Sequence, residues 1–183
     1  KVTDITIRET KKGEIFVAMP GYKTSKMDEH GNPIYKNYFY PTTAEFRKEL
    51  HDNIIKAYKS NAKEISVNSG KDKVGVSVAM YPCNFNENIE SIGKIYIDKR
   101  FVIDGVRVIE GEKGSFVAMP TKTTEGKDGK TEYSEVCYPV TKEFREQLYG
   151  EIIKKSNAVK EQKKEIGGFE PIRDFGDEKL PFR

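Results

Sequence analysis

Phe16-Val17-Ala18-Met19-Pro20 and Phe116-Val117-Ala118-Met119-Pro120 are the same five residues, one hundred positions apart. Each copy follows a strand-like run and a Lys-Gly turn, and each leads into a polar stretch, a Tyr-Pro step and an amphipathic segment. Beyond the Tyr-Pro step the offset is 98, so the intervening stretch is two residues shorter in the second copy. There Glu45, Phe46, Arg47, Leu50, Ile54, Ile55 and Lys56 fall on Glu143, Phe144, Arg145, Leu148, Ile152, Ile153 and Lys154. A repeated supersecondary unit fixes architecture more firmly than any single motif, and this chain is read as a tandem duplication.

Working outward from the pentapeptide, Val2, Ile5 and Ile7 alternate with polar residues as a half-buried strand, and Lys11-Lys12-Gly13 turns the chain. Ile15 to Met19 is apolar and closed by proline, the pattern of a strand covered on both faces. The polar Gly21 to Asn37, with Gly31-Asn32-Pro33, reads as a loop, and Tyr35, Tyr38, Phe39 and Tyr40 as the next strand. Thr42 and Glu45 have capping-box spacing ahead of Phe46, Leu50, Ile54 and Ile55, which predicts an amphipathic helix of about four turns. Asn61 to Asp98 has no counterpart in the first copy. It accommodates three strands, at Ile65 to Val67, Val74 to Ala79 and Ile92 to Ile97. Asp98-Lys99-Arg100 is a tight turn into Phe101 to Ile109. The second copy continues through a loop with Gly126 and Asp128-Gly129, a strand at Tyr133 to Tyr138 and a helix from about Thr141 to Ser156. The expected division is a shortened repeat over 1–60, a fuller repeat over 61–156 and an irregular tail over 157–183, either pinned by Phe169, Phe175 and Phe182 or disordered. The fold class is α+β, with a mostly antiparallel sheet and two amphipathic helices.

Composition narrows function. The 183 residues are 36% hydrophobic and 33% charged, lean material for two separate cores. A net charge of +3, from 32 basic against 29 acidic residues, requires any nucleic-acid role to rest on a local patch. Cys83 and Cys137 are read as free thiols in a reducing, cytoplasmic setting, outside any metal-ligand spacing. Neither a membrane-spanning stretch nor a secretory leader is expected. His30 lies in a Gly/Asn loop and His51 on a helix, and neither is repeated, so both read as surface or boundary histidines. Without an activated nucleophile or a glycine-rich phosphate loop, neither catalysis nor a cofactor is expected.

The residues also carry a resemblance. Phe101 to Gly111, with Gly114, the second pentapeptide, Lys122, Thr124, Tyr138-Pro139-Val140 and Arg145, resembles the SpoVG family of bacterial septation and sporulation regulators, which bind DNA and in some cases RNA. It covers Ile92 to about Ser156 well, and Lys1 to Arg8 resembles the family's opening strand. Family members form homodimers, so the resemblance implies a covalent pseudo-dimer; the repeat alone equally allows two beads on a string. The first copy either folds independently or borrows strands from Lys63 to Met80 in one intertwined unit.

The nucleic-acid candidates are Lys23, Lys36, Arg47, Lys122, Lys127, Lys130 and Arg145. Phosphate contacts need cations on rigid elements or ordered loops, and these lie after the repeated prolines or on the helices. In the family a basic pair follows the proline: Lys23 and Lys122 each match one member, while Tyr22 and Thr123 replace the other. Lys36 falls where the family has an arginine before the Tyr-Pro step, a place Ser134 takes in the second copy, and Arg47 and Arg145 match the helix arginine. Competing readings stand beside these: arginines paired with Glu49 or Glu143, lysines on an ordinary solvated loop, and Tyr35 to Tyr40 as a packed strand and not a stacking surface for bases. The competing function is a protein–protein adaptor that keeps the fold and lacks the nucleic-acid surface.

Overall fold

The computed structural model describes residues 1–62, 64, 74–84, 86–125 and 128–166. In chain order the elements are β1 (Thr6–Glu9), β2 (Ile15–Ala18), β3 (Gly21–Met27), β4 (Pro33–Asn37), β5 (Phe39–Pro41), α1 (Ala44–Lys59), β6 (Val76–Pro82), β7 (Ile89–Ile97), β8 (Phe101–Gly111), β9 (Gly114–Ala118), β10 (Thr121–Glu125), β11 (Thr131–Glu135) and α2 (Lys142–Ile166). All strand pairs among the described residues are antiparallel. This is the α+β tandem repeat expected from the duplication.

The hub is β8, eleven residues long and flanked along one edge by β7. Its other edge is shared: Phe101, Val102 and Ile103 pair with β5 of the first repeat, and Arg107 to Gly111 pair with β9 of its own. A three-residue turn, Asp98 to Arg100, joins β7 to β8, with Asp98 and Lys99 both at positive φ (50° and 55°), the backbone twist a tight hairpin requires.

The two repeats are joined by a reciprocal exchange. After its second hairpin the first repeat sends Phe39 to pair with Ile103, and Asp104 N–H donates to Tyr38 O at 2.8 Å. After its second hairpin the second repeat sends Cys137 to pair with Val2, and Thr3 N–H donates to Val136 O at 2.9 Å. Phe39 and Cys137 occupy the same place in their repeats, as do Ile103 and Val2. The chain needs a sharp bend beyond each crossing, and Asp4 (φ 62°) and Gly105 (φ 80°) supply it at matching positions, two residues before the strands that pair with Ala18 and Ala118. This makes the chain a covalent pseudo-dimer. The strand that intertwines the repeats is β5, donated into the second repeat's sheet, whereas β6 pairs with β7.

The core lies mostly in the second repeat. Met80, Ile95, Ile103, Val106, Val108, Met119, Val136, Cys137, Leu148 and Ile152 cluster there, and Phe39 is the first repeat's contribution. α2 covers the β6–β7–β8 face, fixed by the buried 2.6 Å hydrogen bond between the Ser91 and Ser156 hydroxyls. α1 buries no residue fully; it lies on β2 and β5, with Phe46 edge-on to Phe101 at 4.8 Å and Phe101 stacked on Phe39 at 4.9 Å.

Several local expectations change. The polar stretches after both prolines are hairpins, β3–β4 and β10–β11, because cross-strand pairing satisfies their backbones although neither face is a core face. The pentapeptide is covered on one face only: β2 and β9 are hairpin strands with a helix on one side, so Val17 is buried while Phe16 and Phe116 stay 42% and 50% exposed. The α1 cap is Thr43, whose hydroxyl accepts from Phe46 N at 3.2 Å; Thr42 instead donates to Lys99 O at 2.7 Å and ties the helix start to the β7–β8 turn. Finally, α2 does not stop at Ser156. Lys, Glu and Gln are good helix formers, Val159 packs against the core, and Lys160 pairs with Glu90, so the helix continues to Ile166. The expected strand at Ile65 to Val67 and the tail beyond Ile166 lie outside the described residues.

Candidate nucleic-acid interface

In an antiparallel pair, residues directly opposite each other share a face, and neighbours along the strand lie on opposite faces. In β3–β4, Lys23 is opposite Tyr35 and Gly21 opposite Asn37, whereas Tyr22 is opposite Lys36. Lys23, Tyr35 and Asn37 therefore share one face. Lys36 and Tyr22 share the other, where the Tyr22 ring packs at a tilt against Tyr38 with ring centroids 4.7 Å apart. In β10–β11, Lys122 is opposite Ser134, and Thr123 is opposite Tyr133. The two repeats kept different members of the basic pair. One residue of offset along a strand turns a side chain over, so Lys23 and Lys122 lie on opposite faces of their hairpins.

The expected cations thus fall into unlike settings. Lys23 and Arg47 are exposed, and Arg47 lines a cleft between the β3–β4 hairpin and α1. Lys36 is half-buried and engaged with neighbouring groups. Lys122 pairs with Asp4 at 2.7 Å, and this contact holds the Asp4 carboxyl below its usual range. Lys130 is exposed just before β11 and Arg145 is exposed in the first turn of α2, while Lys127 lies outside the described residues. Neither Arg47 nor Arg145 joins an ion pair with a carboxylate among the described residues, so the competing reading, a pairing with Glu49 or Glu143, is not what occupies them. The second hairpin also carries Glu125, Glu132 and Glu135.

Two functional candidates escaped the sequence reading. Arg8 and His51 line the same cleft as Arg47, although they are separated from it in the chain or set apart from the repeat. The signal lay in the repeat itself: Ile109 and Tyr149 hold their places in the second copy, so both are departures toward a basic or titratable side chain. His30, by contrast, sits on an exposed turn beside Glu29.

His51 Nε2 is buried and has no hydrogen-bond partner among the described residues. Burial first, and the Arg47 charge second, hold the imidazole below its usual range, with Asp52 opposing. The folded chain therefore binds this proton more weakly than the unfolded chain. Its contribution to stability is present above about pH 6.5 and is lost as pH falls through the lowered folded value. Between about pH 7.5 and pH 5.5 the thermal midpoint should fall more steeply for the wild type than for His51→Gln; parallel curves from melts across this range would exclude the effect.

Burial pushes the Cys137 thiol up to about 12, which keeps it protonated and unreactive at neutral pH, and both cysteines are free. Among the described residues no helix is long and apolar enough to cross a membrane.

The comparisons with known proteins follow the same division. The SpoVG family model matches residues 1–60 and again 74–158. The chain belongs to the SpoVG family. A SpoVG protein of Archaeoglobus fulgidus is 33% identical over 77 residues, 42% of this chain and 86% of the relative. One from Thermoanaerobacter sp. strain X514 is 32% identical over 80 residues, 43% of this chain and 82% of the relative. One from Brevibacillus brevis is 34% identical over 76 residues, 42% of this chain and 76% of the relative. Their printed names refer to septation. Each relative is nearly spanned by less than half of this chain, as expected when one SpoVG unit is matched by a chain that holds two.

Proposed function

We propose that this SpoVG pseudo-dimer is a non-catalytic, cytoplasmic regulator that binds DNA or RNA, with the face shared by the β3–β4 hairpin and α1 as its main contact surface. The observation that carries the reading is the convergence of Lys23, Arg47 and Arg8 on one side of the first repeat beside the exposed ring of Tyr35. Cations on ordered strands and a helix suit backbone phosphates, and an exposed tyrosine offers a stacking surface for an unpaired base. Arg145 and Lys130 extend the contact to the second repeat. Lys122 joins it only on leaving Asp4, so it contributes less than Lys23.

Fluorescence-anisotropy titrations with single- and double-stranded DNA and RNA across about 25–200 mM salt test this. Binding should weaken steeply with salt. Lys23→Ala with Arg47→Ala should cost about tenfold or more in affinity and flatten the log–log salt slope by roughly two, one per lost phosphate contact. Absence of salt-sensitive binding at low ionic strength would refute the proposal. A protein-adaptor reading keeps one specific observation in its favour, the acidic Glu125, Glu132 and Glu135 on the second hairpin, and it predicts that same negative result.

A further inference from the structure

We infer that the cleft between the β3–β4 hairpin and α1 is a nucleotide-binding pocket present in the first repeat alone, with Arg8, Arg47 and His51 taking one phosphate and Tyr35 the attached base. The inference deepens the nucleic-acid reading, and rests on it only for the expectation that the nucleotide comes as part of a strand.

The lining is the first support. The cleft has a volume of about 450 Å³, bounded by Arg8 from β1, Tyr35 and Asn37 from β4, Tyr40 from β5, and Arg47 and His51 from α1. That volume suits a nucleotide unit, since small-molecule sites run from ~300 to 1,000 Å³. Two guanidinium groups line it and no carboxylate does. The buried Nε2 of His51 adds a polar atom that no group among the described residues satisfies, and such an atom is costly unless something binds it. Arginine suits phosphate because its planar donors meet two oxygens at once. Tyr35, 68% exposed at the rim, presents a ring without first having to leave a core.

The second repeat is an internal control. At the places of Arg8, Asn37, Arg47 and His51 it has Ile109, Glu135, Arg145 and Tyr149. Burial first raises the pKa of the Tyr149 hydroxyl, Glu135 adds to the rise and Arg145 opposes it, which puts the carboxylate and the guanidinium within electrostatic reach of one group. In the second repeat a glutamate therefore offsets the helix arginine, one cation is replaced by isoleucine and the imidazole by a phenol. In the first repeat the same scaffold has an amide where the glutamate stands, and the positive charge is left for a ligand.

The duplication also supplies substitutions that the scaffold already accepts. Asn37→Glu, Arg8→Ile and His51→Tyr each install the second repeat's residue at the matching position of the first. Binding of adenosine monophosphate, followed by calorimetry, and of a single-stranded 12-mer, followed by anisotropy, is compared for the full chain, these variants and Glu135→Gln. The expected result is that the wild type binds at least one probe and Asn37→Glu weakens that binding about tenfold or more, while Glu135→Gln does not weaken it. Sensitivity with the monophosphate identifies a free nucleotide as sufficient; sensitivity with the 12-mer alone identifies a nucleotide within a strand. If Asn37→Glu shifts the melting curve, Arg8→Ile and His51→Tyr carry the test. A 12-mer that binds wild type and all three variants equally overturns the pocket and leaves the nucleic-acid reading standing. Monophosphate binding sensitive to Asn37→Glu, with no 12-mer binding at any salt concentration, supports the pocket and removes the nucleic-acid reading. Neither probe binding overturns both.

Discussion

A fragment comprising residues 1–62 is expected to be unfolded in isolation, and to regain structure when mixed with a fragment beginning at residue 74. The first repeat holds two hairpins and a 16-residue helix, yet α1 buries no residue and the core cluster draws only Phe39 from this half. Within the fragment α1 can rest only on the short strands β2 and β5, and a helix of that length with so little tertiary support is marginal in water. Its aromatic anchor, Phe101, lies in β8, as does the strand edge that β5 occupies. Removing residues from 74 onward therefore deletes the partner of β5, the ring under Phe46 and the strand that receives Val2. Far-UV circular dichroism of the fragment should show little helix, rising on addition of the complementary piece. A cooperative melting transition from 1–62 alone would show that the first repeat is self-sufficient and that the exchange of strands is incidental.

The second large effect is expected at Gly93. A Cβ built there would lie 2.1 Å from Ala79 O and 2.5 Å from Met80 Sδ. The sulfur belongs to a core side chain that is 4% exposed, and the oxygen to the backbone of β6, so neither yields without separating β6 from β7. Gly93 also stands at a register shift between β7 and β8, where the sheet is already bent. Overpacking of a core costs about 1–3 kcal/mol where side chains can adjust, and Gly93→Ala should cost ~3 kcal/mol or more because a main-chain oxygen is in the way. Gly150→Ala is the matched control. It lies in α2 with open space around it and should stabilise by about 1 kcal/mol. Urea denaturation of both variants distinguishes them by sign. A Gly93→Ala protein as stable as the wild type would mean that β6 and β7 do not pair in this register.

Much of the architecture was legible because duplication is a statement about the whole chain. The tandem repeat, the α+β class, the β7–β8 turn and both helices followed from periodicity and punctuation. The hairpins after Pro20 and Pro120 did not, because strands with two solvated faces have no apolar alternation and look like loops. The exposure of Phe16 and Phe116 was hidden for the opposite reason: an apolar run looks buried until the number of covered faces is known. Of the proposed contact surface, Lys23 and Arg47 were named from sequence. Arg8 and His51 were not, since their significance comes from β1 and α1 meeting the same cleft, which no local pattern encodes. The opposite facing of Lys23 and Lys122 was present in the one-residue offset between them, but it acquires meaning only once both stretches are strands.

The crossing of β5 onto β8, and of Cys137 onto Val2, has a further consequence. In an assembly of two identical chains, any change to one surface is made on both, and the complex keeps its dyad. Covalent linkage removes that constraint while the exchanged strands keep the two halves in register. Arg8, Asn37 and His51 stand on one half, with Ile109, Glu135 and Tyr149 on the other. The molecule has a head and a tail, and under the proposed function a nucleic acid lying across both halves would be held in one direction, with no need for a palindrome.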